Sequence, residues 1–189
     1  RGTGRLSWRR SMSWEDTGLP WVVPSPSMVS PTSALIYPAL VAFEGTNVSV
    51  GRGTALPFQR FGAPWMDAAK VVDLLDDRTL SGVRFEAERF TPENPGDNKF
   101  GGRSIPGVRI VIEERDRFQA GRVGAAVLWA LARTAPDSLR VTARTYDLRF
   151  GSAAAREALM RGADPDEIID RMQADVVAFQ RRVKPFLLY

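Results

Sequence analysis

Two stretches of the chain alternate between apolar and polar positions with the period of a strand. In "GVRFEAERF", Val83, Phe85 and Ala87 alternate with Arg84, Glu86 and Glu88, and in "GVRIVIEE" the residues Val108, Ile110 and Ile112 recur at every second position. Each predicts a half-buried strand, and Leu6 to Met12 is a further strand candidate. Longer periods mark helices. Pro64 to Asp77 carries proline early and sets Trp65, Met66, Ala69, Val72 and Leu75 on or near one face, while Gly121 to Thr134 is rich in alanine and valine. Another helix is expected after Gly151-Ser152, with the serine as N-cap. The last opens on "DPDE", where Asp164 caps, Pro165 takes the first helical position and Glu167 closes a capping box; it runs to about Val183. The run "ALIYPALVAFEGT" fits neither period, because Pro38 would kink a helix but could also sit at a helix start or a strand edge.

The segments between these elements are unusual in composition. "TGLPWVVPSPSMVSPTS" carries Pro20, Pro24, Pro26 and Pro31, a spacing that favours an extended, partly polyproline path over a surface. "TPENPGDNKFGGRSIPG" is a loop between two strands, long enough to be functional rather than a mere connector. Strands are mixed with helices throughout, and no repeat or heptad series interrupts them. The expected fold is α/β with α+β character: a single compact domain with a small mixed sheet packed by helices.

Composition narrows the chemistry. At 189 residues and 44% hydrophobic content the chain can bury one sizeable core. It has no cysteine and no histidine, which nearly excludes disulfides, thiolate chemistry, zinc and a Ser-His nucleophile. No metal and no cofactor is expected. The net charge is +4, but the basic residues, Arg except for Lys70, Lys99 and Lys184, mostly alternate with acids. They read as solvated surface rather than a nucleic-acid face. No apolar stretch is long enough to span a bilayer.

The densest chemistry lies in "FEGTNVSVGRGT", Phe43 to Thr54. Glu44 could serve as an acid, a base or a ligand for sugar hydroxyls. Gly45, Gly51 and Gly53 would let backbone amides approach a ligand, Thr46, Asn47 and Thr54 offer short hydrogen-bonding groups, and the Arg52 fork matches a carboxylate. A glycine-rich surface turn held by an Arg-Glu pair uses the same ingredients, and the residues alone leave both readings open. The adjacent pairs Asp76-Asp77 and Glu113-Glu114 do not share a face, so neither makes a carboxylate dyad. Trp8, Trp14, Trp21 and Trp65 could stack a sugar ring, although packing is the commoner use of tryptophan.

Taken together, "SMSWEDTGLPWVVPSP", "ALIYPALVAFEGTNVSVGRGTALPFQRFGAPWMDA", "GVRFEAERFTP", "GVRIVI" and "ADPDEIID…FQRRVKPFLLY" resemble the C-terminal part of the NamZ-type exo-β-N-acetylmuramidases. The resemblance covers essentially the whole chain. It implies that residues 1–189 are the C-terminal auxiliary domain of a longer two-domain protein, secreted or held in the cell envelope, whose Rossmann-like N-terminal half carries the main catalytic acid. It further implies a peptidoglycan-derived sugar as ligand, bound in a cleft between this domain and its own N-terminal domain. Glu44 (also a possible accessory to catalysis), Gly45, Thr46, Asn47, Arg52, Gly53 and Thr54 would line the cleft, Phe58 and Trp65 would shape its wall, and Arg52 would meet the lactyl carboxylate. The alternatives are a non-catalytic cell-wall binding module and a structural buttress. Self-association through an exposed face around Trp14, Trp21 and Val22 is expected of the domain in isolation.

Overall fold

The computed structural model describes residues 12–187. Three strands, β1 (Arg60–Gly62), β2 (Val83–Phe90) and β3 (Ile105–Ile112), form a sheet in the order β1-β3-β2. Six helices accompany it: α1 (Pro31–Leu40), α2 (Ala68–Asp76), α3 (Ala120–Thr134), α4 (Ala143–Phe150), α5 (Ala153–Met160) and α6 (Pro165–Val183). The α/β class with α+β character holds. Both strand pairings are antiparallel, so the sheet is not the mixed one expected. Strands β2 and β3 are consecutive and joined by a loop that reverses the chain, and β1 runs antiparallel along the other side of β3.

The core is organised around α3, which is buried from Val123 to Ala132. Its alanines and Gly124 permit close neighbours: a Cβ on Gly124 would stand 2.7 Å from the carbonyl oxygen of Ala39, so α1 crosses α3 nearly backbone to backbone. Helices α5 and α6 pack on α3 as well, and α2 lies between α3 and the β2–β3 pair. Val83, Phe85, Val108 and Ile110 point into this core as the alternation predicts, whereas Ala87 is exposed. Gly62 and Gly107 face each other across β1 and β3, and the ring of Phe90 fills the space a side chain there would need.

The helix ends follow local chemistry. Ser30 caps α1 by accepting from the Ser33 amide, and Ser152 caps α5 through the Ala155 amide. Pro38 sits inside α1, which continues past it into a 3-10 turn, Val41–Gly45. Helix α2 begins at Ala68 rather than Pro64, because Asp67 caps it through the Lys70 amide. Asp164 caps α6 through the amides of Asp166 and Glu167, but Glu167 turns outward to Arg171, so only half of the capping box forms. The strand expected over Leu6–Met12 lies, Met12 excepted, outside the described residues. Among the described residues no helix is long and apolar enough to cross a membrane.

Candidate functional site

The segment Phe43–Thr54 leaves α1 through the 3-10 turn and is fastened to the body by its own backbone and short side chains. Gly45 is buried, and a Cβ there would come within 2.7 Å of the Tyr146 amide nitrogen, so only glycine lets this turn lie against α4. Its carbonyl accepts from the Thr142 amide at 2.7 Å. Asn47 is used on three sides: its amide donates to the Arg140 carbonyl, its side-chain nitrogen donates to the Ser138 carbonyl, and its side-chain oxygen accepts from the Arg140 amide. The Thr46 hydroxyl donates to the Phe43 carbonyl and accepts from the Val48 amide, and the Thr54 hydroxyl does the same between Gly51 and Leu56. Beyond these, Ser49 and Gly62 exchange backbone hydrogen bonds, extending the β1 edge.

The long loop between β2 and β3 packs directly on this segment. The carbonyl of Gly53 (φ 75°) accepts from the Glu93 amide at 2.7 Å, and a Cβ on this residue would collide with the Glu93 carbonyl oxygen at 2.5 Å. Lys99 reaches across with its ammonium, which donates to the carbonyls of Phe43 (3.3 Å), Glu44 (3.3 Å) and Val48 (3.0 Å) and lies 3.7 Å from the Asp97 carboxylate. Burial pushes the Lys99 pKa down from its ordinary value, against the attraction of Asp97 and Glu44. Four residues other than glycine adopt positive φ among the described residues, Phe58, Asn94, Asn98 and Phe100. Asn94, Asn98 and Phe100 belong to the β2–β3 loop, and Phe58 follows the Phe43–Thr54 segment just before β1.

Charge gathers where the two segments meet α4. Glu44 accepts from Nε (2.8 Å) and Nη2 of Arg52 on one carboxylate oxygen, and its other oxygen lies 3.6 Å from Nε of Arg149. Arg52 also donates through Nη1 to the Ser27 hydroxyl at 2.8 Å, and its guanidinium stands 5.1 Å from the centre of the Phe58 ring. Glu44, Arg52 and Arg149 therefore form a carboxylate bridged by two guanidiniums. Such a bridge orders the loop and leaves local positive charge in excess. Neither Glu44 oxygen is without a cationic neighbour, the geometry of a counter-ion.

Of the residues singled out in the sequence, Glu44, Gly45, Thr46, Asn47, Arg52, Gly53 and Thr54 do come together, but mostly by bonding one another and the adjoining backbone. Phe58 is buried at the base of the cluster. Trp65 is half-buried, and its indole N–H meets no acceptor among the described residues. Sequence reasoning passed over Ser27, Lys99 and Arg149. Lys99 carried a signal, as one of few lysines in a chain that otherwise uses arginine; Arg149 and Ser27 carried none.

A helix-wrapped domain with a small antiparallel sheet thus presents two interlocked loops and a net-positive arginine–carboxylate cluster. The chain belongs to the family of NamZ C-terminal domains: the family model described as "Exo-beta-N-acetylmuramidase NamZ, C-terminal" matches residues 35–189. It is 33% identical over 183 residues to the peptidoglycan β-N-acetylmuramidase NamZ of Bacillus subtilis (strain 168), an alignment covering 96% of this chain and 44% of that protein. Two solved structures of DUF1343 family proteins from Bacteroides fragilis are also similar. One has a TM-score of 0.83 at 27% identity, covering 96% of this chain and 48% of its own, and the other a TM-score of 0.60 at 25% identity, covering 88% and 43%. The chain thus spans less than half the length of each of these relatives.

Proposed function

We propose that this chain is the C-terminal auxiliary domain of a two-domain peptidoglycan-active glycoside hydrolase of the β-N-acetylmuramidase type, exported to the cell envelope or beyond. In this role it supplies one wall of a sugar cleft whose other wall, with the main catalytic acid, belongs to a Rossmann-like N-terminal half. The observation that carries the reading is the match to the C-terminal family, together with alignment of nearly the whole chain to 44% of a β-N-acetylmuramidase. The wall is the junction of Phe43–Thr54 with the β2–β3 loop, where the charged groups reach the surface. Glycoside hydrolysis needs one carboxyl group to protonate the leaving oxygen and a second to activate water or attack the sugar. Glu44, engaged by Arg52 and Arg149, suits neither task without rearrangement, which is consistent with the acid lying in the other half.

The test compares the chain alone with the chain joined to its upstream half. A chromogenic N-acetylmuramic acid glycoside should be hydrolysed by the joined protein and not by the isolated chain. Hydrolysis by the chain alone, or none by the joined protein, would overturn the reading. A buttress role is favoured by a separate observation: the proline-rich segment leaves Leu19, Val22 and Val23 exposed, an apolar surface that an adjoining domain could cover. Loss of stability in the N-terminal half on removal of this domain, with retained turnover, would single out that role.

A further inference from the structure

We propose that Arg149, a residue outside the glycine-rich segment, reads the carboxylate of the bound sugar, while Arg52 holds Glu44 in place. The proposal rests on the cleft-wall reading above and assigns its anion specificity. Three cations, Arg52, Lys99 and Arg149, face two carboxylates, Glu44 and Asp97, in this cluster. Each cation's donors decide which charge is in surplus. Arg52 spends Nε and Nη2 on Glu44 and Nη1 on Ser27, and its face lies over Phe58. Lys99 is aimed inward at three carbonyls and Asp97. Arg149 donates through Nη1 to the Thr145 carbonyl at 3.0 Å and stands 3.6 Å from Glu44 through Nε, whereas its Nη2 meets no acceptor among the described residues.

Exposure points the same way. The Arg149 side chain is 36% exposed, against 26% for Arg52 and 19% for Glu44. A ligand carboxylate could therefore reach Arg149 without displacing an existing partner, and would have to break the Glu44 pair to reach Arg52. The position is also set by rigid parts: α4 is locked to the 3-10 turn through Gly45 and Tyr146, so Arg149 projects from a fixed helix rather than from a mobile loop. In a muramic acid unit the matching group is the lactyl carboxylate, which N-acetylglucosamine lacks. A carboxylate on an attached peptide has the same chemistry, so the test must separate the two.

The joined two-domain protein and its Arg149→Gln variant would be assayed on three chromogenic glycosides: N-acetylmuramic acid, its uncharged lactyl amide, and N-acetylglucosamine. The preference of the native protein for the acid over the amide, measured as kcat/KM, should collapse by about tenfold or more in the variant, as expected for loss of a charge-assisted hydrogen bond. The loss should fall on KM more than on kcat, and the melting temperature should move by only a few degrees. Arg149→Lys, which keeps charge but not the fork, should recover part of the preference. An equal loss on all three substrates, or none, would overturn the assignment while leaving the muramidase reading standing. Native protein that hydrolyses the acid but does not prefer it to the amide would assign the cluster to a peptide carboxylate or to structure, and would also overturn it. Failure of the native protein to hydrolyse any of the three would take the underlying reading down with it.

Discussion

Replacing Lys99 by methionine isolates the contact that joins the two loops. The side chain is 16% exposed, and its ammonium serves three backbone carbonyls within 3.3 Å and the Asp97 carboxylate at 3.7 Å. Methionine has similar length and fills the alkyl channel, so the change removes the donors and the charge rather than the packing. A hydrogen bond to a charged group contributes about 1.5–3 kcal/mol, and breaking a buried ion pair costs roughly 3–5 kcal/mol because its partner is left uncompensated. Against this stands the desolvation of the ammonium itself, which lowers its pKa and is recovered in the variant. The net expectation is a loss of about 2–4 kcal/mol, or roughly 5–15 °C in Tm for a chain of this size. Thermal unfolding followed by circular dichroism, with urea titration for the free energy, measures it. Two companions sharpen the attribution. Lys99→Arg should recover less than half of the loss, because a planar fork cannot point three donors at three converging carbonyls. Adding Asp97→Asn to Lys99→Met should recover stability, since it removes the carboxylate left unpaired. A Lys99→Met protein melting within about 2 °C of the native one would refute the reasoning, as would a double variant no more stable than the single.

Tyr146→Phe should be neutral or stabilising by about 1 kcal/mol, because the hydroxyl is buried with no hydrogen-bond partner among the described residues; a clear loss in the urea midpoint would show that the hydroxyl is satisfied. Burial also raises the Tyr146 phenol pKa above its ordinary value of 10.0. The folded state therefore keeps a proton that the unfolded state loses above that pH, so this contribution is whole below pH 10 and declines as pH rises; native protein should lose stability there faster than Tyr146→Phe. Gly53→Ala combines a left-handed backbone with a collision against the Glu93 carbonyl and should cost about 1–3 kcal/mol, detectable as a lower Tm; an unchanged Tm would mean the two loops are not rigidly packed. Val22 and Phe179 are 76% and 54% exposed, and concentration-dependent self-association of the isolated chain in sedimentation velocity should weaken in Val22→Ser or Phe179→Ser, whereas a monomer at every concentration would refute self-association.

The elements that were legible in the sequence are those whose periodicity survives in the folded packing. Strands β2 and β3 place Val83, Phe85, Val108 and Ile110 where alternation puts them, because one side of the sheet is covered by α2. The caps at Ser152 and Asp164 were equally visible, since capping is a local bond between a side chain and amides two or three residues on. Helix α4 was missed because "ARTYDLRF" buries only Tyr146 and so has no apolar stripe; it is held by the close approach of Gly45, a residue about a hundred positions away. Strand β1 was missed because three residues are too few to alternate. The site divides in the same way. The glycine-rich segment and the β2–β3 loop each stood out by composition, but that they pack on each other, through Lys99 and through Gly53 against Glu93, is a long-range contact that no local pattern encodes.

That contact bears on the proposed role of the junction as a cleft wall. Phe58 and Phe100 hold φ near 60°, a conformation that costs an aromatic residue roughly 1–2 kcal/mol, whereas asparagine, as at Asn94 and Asn98, tolerates it more readily. Such strain persists only where surrounding bonds over-determine the backbone. Here they do: Phe58 donates to the Val50 carbonyl at 2.8 Å, Gly102 to the Pro92 carbonyl at 2.8 Å, Asn98 to the Pro95 carbonyl at 2.9 Å, and Lys99 ties the β2–β3 loop to the 3-10 turn. If the junction were a plain connector, the same path could be taken by relaxed turns with glycine at these positions. A strained backbone pinned from both sides instead fixes where Glu44, Arg52 and Arg149 stand before any ligand arrives. An arginine that discriminates a charged sugar from its neutral analogue gains from being ordered beforehand, because the entropy of immobilising a long side chain is then spent during folding and not during binding.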